Sequence, residues 1–111
     1  MQIIIDLSGL ITKLETTKRF SETLDFGRYS DGSLVALNNW DAFNDCLSYL
    51  DVGGIYGTSE KISFPLILSI KGYSDFKNNN PKDFLILKEI LSEKQILYKK
   101  YNQDLQIVFE K

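Results

Sequence analysis

Asp41 and Asp45, four residues apart in the stretch Asn38-Asn39-Trp40-Asp41-Ala42-Phe43-Asn44-Asp45-Cys46-Leu47-Ser48-Tyr49-Leu50, are the pair in this chain best placed to do chemistry. On a helix that spacing puts both carboxylates on one face. Three uses are then open: a general acid with a general base, a clamp on a divalent cation, or an anionic surface for a cationic partner. An exposed helix face supplies no cleft for the first, and no third ligand is visible for the second. The chain also contains no histidine. Its absence removes the commonest general base, the Ser/His and Cys/His nucleophile pairings and the commonest transition-metal ligand. No catalytic residue, no metal ligand and no cofactor is therefore assigned, and the chain is not expected to be an enzyme.

Charge favours the third use. Residues 29 to 60 carry Asp31, Asp41, Asp45, Asp51 and Glu60 and no Lys or Arg, a local charge of −5 in a chain whose net charge is −2. Like charges at i and i+4 cost a helix roughly 0.2–0.5 kcal/mol. If Asn38 or Asn39 is the N-cap, Asp41 lies in the first turn and is favoured by the helix dipole, whereas Asp45 lies beyond it. Asn44 and Ser48 share the acidic arc. A merely solvated acidic face accounts for the periodicity equally well; a cationic partner accounts also for the pairing of the two acids.

The opposite arc is Trp40, Phe43, Cys46, Leu47 and Leu50, which predicts an amphipathic helix with Trp40 in the core. The lone cysteine falls on this dry side and is read as a small buried thiol. With 111 residues the chain is expected to form one domain, 1–111, with a real core. An acidic balance, pI near 5.1, argues against direct nucleic-acid binding. Apolar runs such as Phe84-Leu85-Ile86-Leu87 are too short to span a membrane, and the first residues lack the basic start of a secretory signal. The expected location is the cytoplasm, with no membrane partner.

These side chains need elements to hold them. Gln2 to Asp6 is a β-branched run that predicts a first strand. Thr16 or Thr17 is expected to cap a helix bearing Phe20 and Leu24, with Gly27 after its end. Turn residues from Gly27 to Ser33 give an exposed loop, Leu34 to Leu37 returns to the core, and the acidic helix follows and is expected to stop at Gly53-Gly54. The apolar run Phe64 to Ile70 predicts a strand covered on both faces. A short helical turn is expected around Tyr73 and Phe76. Asn80-Pro81-Lys82-Asp83 has the form of a helix start, capped by Asn, and the helix should run to Tyr101 with a bend at Ser92. Leu105 to Phe109 closes the chain as a third strand. Strand, helical crossover and strand make a βαβ unit, so the last two strands should be parallel.

The order Asn39-Trp40-Asp41-Ala42-Phe43-Asn44-Asp45-Cys46-Leu47 resembles the signature of the barstar family, inhibitors of barnase-type ribonucleases. The aromatic-Pro-aliphatic strand start Phe64-Pro65-Leu66 and the short last strand after a long helix resemble it too. The resemblance implies an α/β fold, a three-stranded parallel sheet flanked by helices, which the chain's periodicity reaches separately. It implies a role as inhibitor or immunity protein, monomeric when free, whose helix acids occupy the places of RNA phosphates among the cations of a ribonuclease toxin. By motif position, Asp45 matches the dominant contact acid, Asp41 the supporting acid, Asn44 a contact residue and Ser48 a small hydroxyl contact. The alternative is a barstar-fold protein for another basic, non-ribonuclease partner. Two stretches depart from the family: Leu34 to Leu37 replaces an aromatic and glycine segment, leaving Tyr29 as the nearest aromatic, and the connection from 51 to 63 is several residues longer.

Overall fold

A computed structural model of the chain describes residues 1–110. The elements are β1 (Gln2–Asp6), α1 (Lys13–Thr23), α2 (Trp40–Leu47), β2 (Leu66–Lys71), α3 (Ser74–Asn79), α4 (Pro81–Lys100) and β3 (Leu105–Phe109), with a single 3-10 turn at Leu50–Val52. The aliphatic runs become strands of one sheet in the order β1-β2-β3, parallel throughout, with Ile5 beside Ile70 and Leu68 beside Ile107. The expected parallel pairing of the last two strands is what the chain adopts.

The sheet is covered on one face. Ile5, Leu68 and Ile70 join a core cluster with Phe20 of α1, Phe43 and Leu47 of α2, Phe76 of α3, and Phe84, Leu87 and Leu91 of α4. The other face carries exposed Gln2, Ile4 and Gln106, and Ile67 of the central strand is 37% exposed. The run at 64 to 70 is therefore not covered on both faces as its composition suggests. Alternation applies, since successive side chains of a strand point to opposite faces and all four helices pack into the same cluster. Ser69 stays buried on the open face, where Gln2 Nε2 donates to its hydroxyl at 3.1 Å.

Helix starts differ from expectation in two places. The cap of α1 is Thr12: its hydroxyl accepts from the Glu15 N–H at 3.1 Å, and Glu15 reaches back to the Thr12 N–H at 3.2 Å, a complete capping box. Thr16 and Thr17 lie inside the helix and are fully buried. At α4 the first turn carries Pro81 and Asp83 as expected, but Asn80 makes no side-chain cap; its amide donates to the Ile11 carbonyl. The helix is one unbroken run past Ser92, and Gln95 accepts from the Ile107 N–H of β3 at 2.9 Å.

Candidate functional site

Entry into α2 is fixed by three polar contacts. Asn39 is its N-cap, accepting from the Ala42 N–H at 3.1 Å. Asn38 takes a left-handed φ of 53°, a conformation asparagine tolerates, and donates its N–H to the Thr17 hydroxyl of α1 at 2.8 Å. That hydroxyl donates in turn to the Lys13 carbonyl at 2.9 Å. Asp41 lies in the first turn, at the positive end of the helix dipole.

One arc of the helix is dry. Phe43, Cys46 and Leu47 are fully buried, and Phe43 meets Phe20 edge-on at 5.2 Å and Trp40 at 5.4 Å. Trp40 is only half-buried, against the expectation that it belongs to the core. Its indole N–H donates to the Asp83 carboxylate of α4 at 3.0 Å, so the ring's polar edge is held at the boundary while its body packs on the core. The Cys46 thiol is pushed up by burial, which keeps it protonated and unreactive.

The other arc divides. Asp41 and Asp45 are exposed, whereas Asn44 and Ser48 are half-buried. Asn44 Oδ1 is buried with no hydrogen-bond partner. The Ser48 hydroxyl donates to the Asn44 carbonyl at 3.2 Å and accepts from Lys94 Nζ of α4 at 2.8 Å. Thus the structure places Asp41, Asn44 and Asp45 on α2 and Ser48 at its C-cap, the two acids facing solvent and the other two turned partly inward.

Lys94 is the surprise beneath this face. It is only 6% exposed, and burial pulls its pKa below the ordinary lysine range, while the charges of Glu93 and Asp45 pull the other way. The acidic face is therefore not wholly unanswered, as the local sequence suggests, because the answering cation comes from a helix 46 residues away. It makes no direct ion pair. Among the described residues the one ion pair is Lys71 with Glu110, at 3.5 Å on the surface, so Asp41 and Asp45 both remain free to meet an external cation.

Tyr98, one turn further along α4, ends the helix. Its buried hydroxyl donates to the Leu47 carbonyl at 2.5 Å and accepts from the Leu50 N–H at 3.0 Å, satisfying two backbone groups where α2 gives way to the 3-10 turn. This is why α2 stops at Leu47 rather than at Gly53-Gly54. Its phenol is pushed up to about 12, by burial first. Neither Lys94 nor Tyr98 was singled out by the sequence, yet Leu87, Leu91, Lys94 and Tyr98 follow at spacings of four, three and four, the signal of one buried helix face.

The loops entering and leaving α2 are bonded to each other. The Gly27 N–H donates to the Gly53 carbonyl at 2.8 Å, and the Val35 N–H donates to the Gly27 carbonyl at 3.2 Å. A Cβ on Gly27 would stand 2.2 Å from the Ile55 carbonyl oxygen, so only glycine permits this approach. Two exposed tyrosines, Tyr29 and Tyr56, meet across the seam with ring centroids 6.0 Å apart.

No helix of the described residues is long and apolar enough to cross a membrane, and no group of three metal-ligating side chains occurs among them. A search of curated proteins finds no match to the chain. A family model described as Barstar (barnase inhibitor) matches residues 1–110. With a three-stranded parallel sheet, four helices and the Asn39 to Leu47 motif on α2, the chain belongs to the barstar family.

Proposed function

We propose that this protein inhibits a ribonuclease toxin, as an immunity protein in the cytoplasm, by laying the exposed carboxylates of α2 into the toxin's cationic active site. The observation that carries the reading is the pairing of two exposed, unbridged acids, Asp41 and Asp45, on a helix whose two ends are pinned by Asn39, Thr17 and Tyr98. A rigid anionic face loses little conformational freedom when it binds, and its charge draws a basic partner in at a rate that falls with salt. Asn44 and Ser48 lie between and beyond the acids and complete the contact, and membership of the barnase-inhibitor family supports the choice of partner.

The test is a titration of the purified protein into barnase and other secreted ribonucleases of its type, following RNA cleavage. Wild type should block cleavage at a one-to-one ratio. Asp45→Ala should weaken inhibition at least about thirtyfold, the scale of an interface hot spot, and Asp41→Ala by less. Equal inhibition by wild type and both variants would remove α2 from the interface. Salt-sensitive binding with no loss of cleavage would point to a basic partner other than a ribonuclease.

A further inference from the structure

The two edges of the sheet differ. On β3 the backbone groups of Leu105, Ile107 and Phe109 point outward, and Gln95 of α4 caps the Ile107 N–H at 2.9 Å. On β1 the ladder to β2 uses the odd residues: the Met1 carbonyl accepts from the Ile67 N–H, and the Leu7 N–H donates to the Lys71 carbonyl, both at 2.9 Å. The N–H and C=O groups of Gln2, Ile4 and Asp6 therefore face away from the sheet. Arg19 of α1 donates to the Asp6 carbonyl, and no other hydrogen bond among the described residues takes up these groups. An open edge is a template for another strand, and folded proteins guard it with lysine, proline, a bulge or a covering segment. Gln2-Ile3-Ile4-Ile5-Asp6 has neither lysine nor proline, its register with β2 is unbroken, and Ile4 is 48% exposed. A β-branched edge left open beside a capped one is arranged to take a strand from outside.

Symmetry and charge identify the strand. Turned antiparallel about a two-fold axis at Ile4, β1 meets itself: Ile4 faces Ile4, and Gln2 of each copy faces Asp6 of the other. These are the residues whose backbone groups point outward, so every facing pair is of the hydrogen-bonded kind. The two Ile4 side chains then stand together on the open face. Gln2 uses one amide proton on the Ser69 hydroxyl and has a second for Asp6, whose Oδ1 takes both Ser8 bonds while Oδ2 takes none. Beside this edge α1 presents Glu15, Lys18, Arg19 and Glu22, two charges of each sign, so no like-charged field opposes a second copy. With Gln95 on the β3 edge, pairing stops at two. We propose that this protein pairs with a second copy of itself through the β1 edge, joining the two sheets about Ile4. The pairing uses no residue of α2 and does not rest on the proposed function; it replaces the free monomer that the family resemblance implies.

One strand edge makes a small, weak interface, so the measurements span about 10 µM to about 1 mM of the full chain. In sedimentation equilibrium the mass should climb from 12.8 kDa toward twice that value and level there. Amide exchange over the same range should slow at Ile4 and Asp6 and stay unchanged at Ile107, whose partner is Gln95. Ile4→Lys sets two ammonium groups face to face at an exposed position, and should weaken association about tenfold or more with an unchanged melting temperature in dilute solution. Should that variant fail to fold, the exchange of Ile4 and Asp6 in the wild type decides alone. A mass of one copy throughout overturns the proposal. So does association in which Ile4 and Asp6 exchange as they do in dilute solution, or in which folded Ile4→Lys associates like wild type. Growth beyond two copies overturns the closed pairing as well.

Discussion

Replacing Tyr98 with phenylalanine isolates the contact that ends α2. The change keeps the ring and its packing on Phe64, whose centroid lies 5.0 Å away, and removes only the hydroxyl. The Leu47 carbonyl and the Leu50 N–H then lose their partner in a site too buried to admit water. Each stranded group costs about 1–3 kcal/mol, so the pair should cost ~2–6 kcal/mol. Against a total stability of ~5–15 kcal/mol this is a large share, and for a domain of this size it lowers the melting temperature by roughly 10 °C or more. Urea unfolding at pH 7 measures it directly.

A pH series adds an independent check. Tyr98 holds its proton to about 12 when folded, against 10.0 for an ordinary tyrosine. The folded state therefore binds more protons than the unfolded state between those values. This contribution is intact below pH 10 and is lost as pH climbs through about 12. Tyr98→Phe should lack that loss. A variant within ~0.5 kcal/mol of wild type at pH 7, with the same decline at high pH, would refute the assignment of Tyr98 as the pin of α2.

Three further outcomes follow from the same geometry. Lys94→Met should raise stability at neutral pH by about 1 kcal/mol, because it removes a buried charge and fills the same volume; the gap should close as pH rises toward the ordinary lysine value of 10.5, where the folded chain no longer has to hold that proton, and denaturant midpoints from pH 7 to 10.5 measure it. Thr12→Ala should lose about 1 kcal/mol by breaking the capping box, with Thr12→Ser restoring most of it in the same unfolding assay. Gly27→Ala should cost about 1–3 kcal/mol, since its methyl group collides with the Ile55 carbonyl, and amide exchange should rise at Gly27 and Gly57 together.

What could be read from the sequence was what local chemistry decides. The α2 face was legible because Trp40, Asp41, Phe43, Asp45, Cys46 and Leu47 carry their own periodicity, and the three strands were legible from their aliphatic runs. The cap of α1 was misplaced because Thr12, Thr16 and Thr17 are equally able to cap, and only packing shows that the last two are needed inside. The open sheet face was hidden because Ile67 is as apolar as its buried neighbours. Lys94 and the Tyr29 and Tyr56 pair were hidden for another reason. Each depends on residues brought together from distant parts of the chain, and a lysine in an apolar helical stripe normally reads as a surface residue.

The bond from Tyr98 to Leu47 spans 51 residues, and that from Lys94 to Ser48 spans 46. During synthesis, at roughly 5–20 residues per second, the acidic motif leaves the ribosome some 2–10 s before the residues that pin its far end. A nascent chain displaying Asp41 and Asp45 thus has the charges of the site without its shape. It can attract a basic protein but cannot yet present a fixed face to it. On the proposed function, inhibition by a newly made copy would begin only when α4 docks, which would tie its onset to the folding of α4 against α2.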